Sequence, residues 1–285
     1  MESKRHPARH ARGIAFWVLC AVALCIVVAP SAAIIIGVVG KAVPVLRVTL
    51  LTTTTRSGAL GLQNAILGTL TLGIGVLVIA GPIGILSGVY IAEFAPKRFG
   101  AVLRFFSEVL AGVPSIVIGY VGYLLLVVRL HWGFSLLGGI LALSVLIIPY
   151  IIKITEVSFA QVPRSLREAA MAVGLTRLTT IRKILLPPAL PGIVSGLVLA
   201  LAISTGETAP LLFTAGFTDA NPSGPLNPVG YLTYVTYTDV SLPSAGAQAL
   251  ASASAAVTIL LILFLILGGR LITARSRRMV ARLDV

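Results

Sequence analysis

The chain has 285 residues, 57% of them hydrophobic and only 11% charged, with a mean hydropathy of +1.02. Soluble domains carry about 25% charged residues, so this composition argues against a soluble fold and for a membrane protein. The net charge of +13 would suit a nucleic-acid binder, but the basic residues lie in patches between apolar runs, as membrane topology places them, so nucleic acid is rejected as a partner.

A membrane-crossing helix needs about 20 mainly apolar residues. Six segments qualify, which predicts an all-α membrane protein with six transmembrane helices. The first covers roughly 14–38. Basic residues precede it, as in a signal peptide, but its apolar run exceeds the roughly 7–15 residues of such a leader and no clear cleavage site follows. Cys20 and Cys25 fall inside it as small apolar fillers and imply neither a disulfide framework nor a metal site. The second span covers roughly 66–92, the third 105–128, the fourth 134–152, the fifth 188–214 and the sixth 246–272. Pro82, Pro114 and Pro191 fall in or near these spans, where neighbours satisfy the freed backbone groups or a kink results. The predicted organisation is a basic tail over 1–13, a transmembrane domain over 14–273 with a loop at about 154–187, and a second basic tail over 274–285.

Orientation follows from lysine and arginine. Every basic residue except Lys41, Arg47, Arg56 and Arg129 falls on one side, which predicts that both termini and the 154–187 loop are cytoplasmic. The long outer loop, about 215–245, has no Lys or Arg, and its acids are Asp219 and Asp239.

The inner loop contains LREAAMAVGLTRLTTIRKILLP, from Leu166 to Pro187. Ser165 and Glu168 have the spacing of a capping box. Leu166, Ala169, Ala170 and Val173 recur at helical spacing on one face, with side chains small enough to admit another backbone. Gly174 stands where a helix end wants a left-handed residue. A second helical piece is expected from about Thr176, with Leu178, Ile181 and Leu185 on one face, and Pro187 is expected to open the fifth span. Periodicity leaves two readings open: a helix resting on lipid headgroups, or one docking into a protein groove.

Glu168-Ala169-Ala170, three residues, Gly174, nine residues, Ile184, one residue, then Leu186-Pro187 resembles the EAA loop of ABC importer permeases. Gly68–Ala95, Ser107–Tyr120 (SEVLAGVPSIVIGY) and Gly206–Ala215 (GETAPLLFTA) resemble permeases of the phosphate-specific transport system, the last of them the PstA type. The resemblance covers roughly residues 60–275. It implies a type I ABC importer fold whose EAA loop forms coupling helices that dock on an ATPase subunit, with Glu168, Ala169 and Gly174 as core contacts. Implied partners are a second, PstC-like permease, two copies of a PstB-like P-loop ATPase, an extracytoplasmic PstS-like phosphate-binding protein, and lipid. The implied location is the bacterial cytoplasmic membrane. This chain would bind no cofactor; ATP and Mg would be handled by the ATPase partners.

Ionisable groups inside spans are functional hypotheses by default. Glu108 in the third span and Glu207 in the fifth are the two cases, the latter beside Ser204, Thr205 and Thr208. Hydroxyls are suitable donors to an anion, whereas a lone carboxylate repels it, so Glu207 is expected to organise the pathway or to make a structural hydrogen bond. Ile203 stands where PstA-like chains are expected to carry an arginine, so a positive charge at that depth must come from elsewhere, most simply the partner permease. Arg104 and Arg129, near span ends, are expected to snorkel to the interface. Tyr231, Tyr234 and Tyr237 in the outer loop fit an interfacial aromatic belt, or a gate or docking surface for the binding protein.

No lysine sits in a Walker A motif, no G-x-S-x-G elbow occurs, and His6, His10 and His131 are dispersed, so no catalytic or metal site is expected. Alternatives to a phosphate importer are an importer of sulfate or molybdate, a secondary transporter, for which no inverted repeat is seen, and a membrane enzyme, for which no nucleophile or metal constellation is seen.

Overall fold

The computed structural model describes residues 7–55 and 61–280, and side chains over 13–55 and 61–271. The basic side chains of the two tails, and Arg56, lie outside the described residues. Every regular element among those described is helical. Long apolar runs have that outcome in lipid because a helix satisfies its backbone groups internally.

In chain order the elements are α1 (Pro7–Ala42), α2 (Val48–Thr52), α3 (Gln63–Val89), α4 (Lys97–Ala111), α5 (Ser115–Gly122) and α6 (Leu136–Ala160). They continue with α7 (Arg164–Ala172), α8 (Arg177–Thr179), α9 (Leu186–Gly206), α10 (Ala209–Thr214), α11 (Leu232–Asp239) and α12 (Ala245–Val280). Wider, π-wound turns extend α3 over Tyr90–Phe94 and α5 over Tyr123–Arg129, and join α8 to α9 over Thr180–Leu185. Five helical stretches are long and apolar enough to cross a membrane: Gly13–Ala42, Gln63–Phe94, Leu136–Ala160, Arg177–Gly206 and Ala245–Leu271. A sixth is bent.

Three spans differ from the sequence expectation. The fourth, expected over 134–152, runs on as one helix to Ala160, so the loop after it starts near 161 and not 154. The third, expected as one helix over 105–128, is a pair: Lys97–Ala111 and Ser115–Arg129 meet at 92°. Pro114 has no N–H to continue the helix and disfavours helical backbone at Val113, so the chain turns there. Pro82 and Pro191, by contrast, lie inside unbroken helices. The fifth span, expected over 188–214, begins at Arg177 and stops at Gly206. Pro187 does fall in the first turns of α9, but the helical rod is already running through α8 and the π-wound turn. At the other end Glu207 has extended backbone, φ −73° and ψ 137°, and α10 is a separate short helix.

The centre of the bundle is the pair α3 and α6, which run in the same direction. A β-carbon placed on Gly75, Gly84 or Gly88 would fall within 3.0 Å of Ile140, Ile151 and Thr155 respectively. The missing side chains are what lets the two backbones approach, the usual basis of helix pairing where water gives no driving force. Val76, Leu143, Ile147, Leu211 and Tyr231 belong to the middle apolar cluster built on this pair. A cluster at one end joins Leu50, Leu62 and Ala65 to Leu232, Val235 and Leu250. A third, at the end carrying the 154–187 loop, joins Phe159 and Val162 to Ile181, Leu185 and Ile193. α1 lies apart, packed on α12, with the apolar stretch of its span left unburied.

Gly88→Ala is expected to destabilise the chain by about 1–3 kcal/mol through forced repacking against Thr155 and the Ile152 carbonyl. Gly40→Ala, with nothing within 4 Å of the added carbon, is the neutral control. Thermal unfolding of both variants in detergent checks the difference.

Candidate functional site

The loop between α6 and α9 holds the residues singled out in the sequence. α7 starts one residue before Ser165, with Pro163 at its N-cap, so Ser165 and Glu168 are both inside the helix. No side chain caps it, and the expected capping box does not form. α7 ends as expected: Gly174 has φ +74°, the Leu175 N–H donates to the Ala170 carbonyl at 3.1 Å, and the Gly174 N–H donates to the Met171 carbonyl at 3.0 Å. That paired closure is the Schellman arrangement and satisfies two terminal carbonyls. Thr176 then caps α8, its hydroxyl accepting from the Thr179 N–H.

The face expected from periodicity divides. Ala170 is buried, while Leu166, Ala169 and Val173 are exposed, Val173 by 79%. Glu168 is also exposed and makes no ion pair among the described residues. Ile181 and Leu185 point into the third cluster, with Ile184 and Leu186 packed partly against it, while Leu178 and Pro187 stay exposed. Ser165 and Gly174 are exposed as well. The loop therefore presents Leu166, Glu168, Ala169, Met171 and Val173 outward on a base fixed to the bundle.

That base is charged, which sequence reading missed. Arg167 Nη1 lies 2.7 Å from Glu93 Oε1, and Arg167 Nη2 donates to the Phe159 carbonyl at 2.7 Å. Phe159 is in the last turn of α6, where carbonyls lack helical partners and a cation suits the helix dipole. Arg177 donates to the Glu93 carbonyl, and its guanidinium carbon sits 4.8 Å from the centre of the Phe94 ring. A sequence signal existed: Glu93 is an acid in the last turn of an apolar span, which demands a partner.

Beside this base a cleft of about 410 Å³ carries Arg104, Glu156, Arg164, Arg167 and Glu168. A smaller one, about 190 Å³, lies between α4 and α6 and adds Glu108 and Lys153. Arg104 pairs with Glu156, so it binds within the bundle and does not snorkel as expected. Glu108 pairs with Lys153 at 3.1 Å on an exposed face. Glu108 therefore sits on the first arm of the bent pair, with a cation beside it.

Glu207 is at the break between α9 and α10, not within a helix. Its side chain meets the Ser115 hydroxyl, the first residue of α5, and its carbonyl accepts from Thr233 at 2.9 Å. Ser204 and Thr205 are buried, and both hydroxyls donate to the Leu201 carbonyl, at 2.9 and 2.8 Å. Thr208 is the residue preceding α10, and its carbonyl accepts from the Leu212 N–H. Of the five residues expected to line a pathway, the structure thus gathers Ser204, Thr205, Glu207 and Thr208 at one helix break and places Glu108 on α4.

The 215–245 segment folds back over one end of the bundle like a lid. The Leu232 N–H donates to Thr69 at 3.0 Å, and Ser254 donates to the Leu232 carbonyl at 2.7 Å. Tyr231 is 1% exposed, and Tyr234 stacks on Phe217 with ring centres 4.2 Å apart. The expected aromatic belt is reduced to Tyr237, which is exposed.

Residues 80–281 match the binding-protein-dependent transport system inner membrane components. That match covers the bent span, the loop between α6 and α9, and the break at Glu207. The chain belongs to this permease family. The permease is 49% identical over 265 residues to Phosphate transport system permease protein PstA 2 of Mycobacterium tuberculosis, covering 92% of this chain and 88% of that one. It is 36% identical over 222 residues to the probable PstA of Methanocaldococcus jannaschii, covering 76% and 78%. Its fold superposes on a chain of the inward-facing MetNI methionine ABC transporter with a TM-score of 0.60 at 21% identity, covering 81% of this chain and 99% of that one. The fold is therefore that of a type I ABC importer permease, a multi-pass membrane protein. Such a permease works with a partner permease and ATPase subunits.

Gly174→Val is expected to cost the loop about 1–2 kcal/mol, because a β-branched residue is strained at positive φ, while Gly174→Asn costs less. Nothing lies within 4 Å of the added carbon, so the loss is conformational and not a clash. Faster limited proteolysis between α7 and α8 in the valine variant, and not in the asparagine variant, checks it.

Proposed function

We propose that this permease is the PstA-type membrane subunit of an ATP-driven importer of inorganic phosphate. The observation that carries the reading is the 49% identity, over 92% of the chain, to a relative named as a phosphate permease. The chain itself is non-catalytic. A PstS-like binding protein delivers phosphate on the outer side, and a PstC-like permease completes the pathway. Two PstB-like ATPases bind and hydrolyse ATP with Mg on the inner side. The exposed face of α7, with Ala169 and Val173 beside the Glu168 carboxylate, which makes no ion pair among the described residues, suits docking in an ATPase groove and supports the coupling role of Ser165–Pro187.

In this reading both termini and the 154–187 loop are cytoplasmic, at the inner membrane of a bacterium, and the tails over 1–13 and 274–285 set topology or touch anionic lipid. The pathway runs past the break at Glu207 and Thr208 towards Glu108, with Ser204 and Thr205 lining it. With Ile203 in place of an arginine, the cations that share a cleft with Glu108 are Arg104 and Lys153, between α4 and α6. Both are paired with carboxylates, which keeps the cleft from trapping an anion tightly. ATP binding closes the ATPases, the loop follows, and the two permeases exchange outward for inward access as rigid bodies.

The test is uptake of radiolabelled phosphate by the assembled transporter in liposomes. Excess unlabelled phosphate is expected to abolish uptake, and excess sulfate or molybdate to leave it; the reverse pattern assigns another oxyanion. Glu168→Arg is expected to lower uptake and binding-protein-stimulated ATP hydrolysis together by about tenfold or more, as the loss of a central interface contact does. Survival of both activities would remove Glu168 from the coupling surface.

A further inference from the structure

Chain continuity points to α9 as the element that the coupling loop drives, since the loop leads straight into it. Side-chain contacts point elsewhere. Arg167 of α7 and Arg177 of α8 both converge on Glu93, one on its carboxylate and one on its carbonyl, and Arg177 also covers Phe94. Glu93 and Phe94 close α3. The Glu93 side chain is only 9% exposed and that of Arg167 28%. Separating such a pair leaves a poorly solvated charge without its partner, so α7 does not leave the end of α3 cheaply.

α3 and its π-wound turn form one helix of 32 residues, from Gln63 to Phe94. At the far end Asn64 Nδ2 donates to the Thr218 carbonyl at 3.0 Å, and Thr69 accepts from the Leu232 N–H at 3.0 Å. Leu62 and Ala65 share an apolar cluster with Leu232 and Val235 of the lid helix α11. The rod through α9 is nearly as long, 30 residues from Arg177 to Gly206, but it reaches α11 only past the break, through the Glu207 carbonyl that accepts from Thr233, whereas α3 meets the lid from within its own helix.

We propose that Glu93 is a positioning residue that couples the loop to α3, and that α3 carries ATPase-driven motion across the membrane to the outer lid α11. The proposal rests on the importer reading. The loop and the lid are then held to opposite ends of one rod, stiffened along its length by close packing on α6. A displacement of α7 moves Glu93, and Asn64 and Thr69 move the lid.

The test uses the whole transporter in liposomes, with partner permease, ATPases and binding protein, and Cys20 and Cys25 of this chain replaced by alanine. Phosphate uptake and ATP hydrolysis are measured in parallel, with a fluorophore on Tyr237→Cys reporting lid movement. Glu93→Gln and Arg167→Gln are expected to assemble and hydrolyse ATP, with uptake per ATP falling about tenfold and the ATP-dependent lid signal lost. The reversed pair, Glu93→Arg with Arg167→Glu, is expected to recover both to within about threefold. Unchanged uptake per ATP and lid signal in the single variants would overturn the proposal. So would failure of every variant to assemble, or a reversed pair no better than the singles, since either makes the contact purely structural. A wild-type complex that shows the lid signal but moves no phosphate would sink the substrate reading alone, and the lid signal still decides the role of Glu93.

Discussion

Two helices in lipid gain little by hiding apolar surface, because the lipid they leave is equally apolar. Their pairing depends on how closely their backbones pack. In this permease α6 is gripped on two sides by that means. Gly75, Gly84 and Gly88 of α3 meet it on one side, and Gly192 and Gly196 of α9 meet Ser158 and Ile154 on the other. The same device recurs where Gly119 of α5 lies on Pro210 of α10. The three-helix centre is thus specified by absent side chains, and the remaining elements are arranged around it.

The two ends of that centre are fastened by different chemistry. The end carrying the loop between α6 and α9 uses ions: Glu93 with Arg167, Arg104 with Glu156, Lys153 with Glu108. The other end uses neutral groups, with Asn64, Thr69, Thr233 and Ser254 bonding to backbone atoms. Charge-assisted contacts are stronger and longer in range than neutral ones. On the proposed reading, the end that follows a large soluble partner is well served by the former, and the lid by the latter.

Much of this was legible in the sequence, for identifiable reasons. Long apolar runs leave helices little freedom of placement, so the first, second and sixth spans appeared within a few residues of where they lie, while the third, fourth and fifth, which run into charged or broken stretches, did not. Gly174 was readable because one backbone conformation there excludes most other residues. The capping box failed because Pro163 starts α7 a residue earlier, and proline at that position needs no side-chain partner. The bend at Pro114 and the continuity through Pro187 show the limit of reading prolines singly. One breaks its helix after a glycine and a β-branched residue, whereas the other is absorbed by a helix already wound wide. Glu93 escaped because its partners come from a remote stretch of the chain. A carboxylate in a span signals that a cation exists somewhere, without saying where.

The bent span carries a geometric consequence. Each arm has 15 residues, about 22 Å at a helical rise of about 1.5 Å, too short to cross about 30 Å of hydrocarbon alone. Joined at 92°, the arms have an end-to-end vector of about 30 Å, so they bridge that thickness only with no slack and with each arm oblique, at about 45°. An oblique elbow cannot lie flush against upright neighbours. It holds open a wedge in the wall of the bundle, the cleft between α4 and α6, and Ser115 at its apex lies beside Glu207.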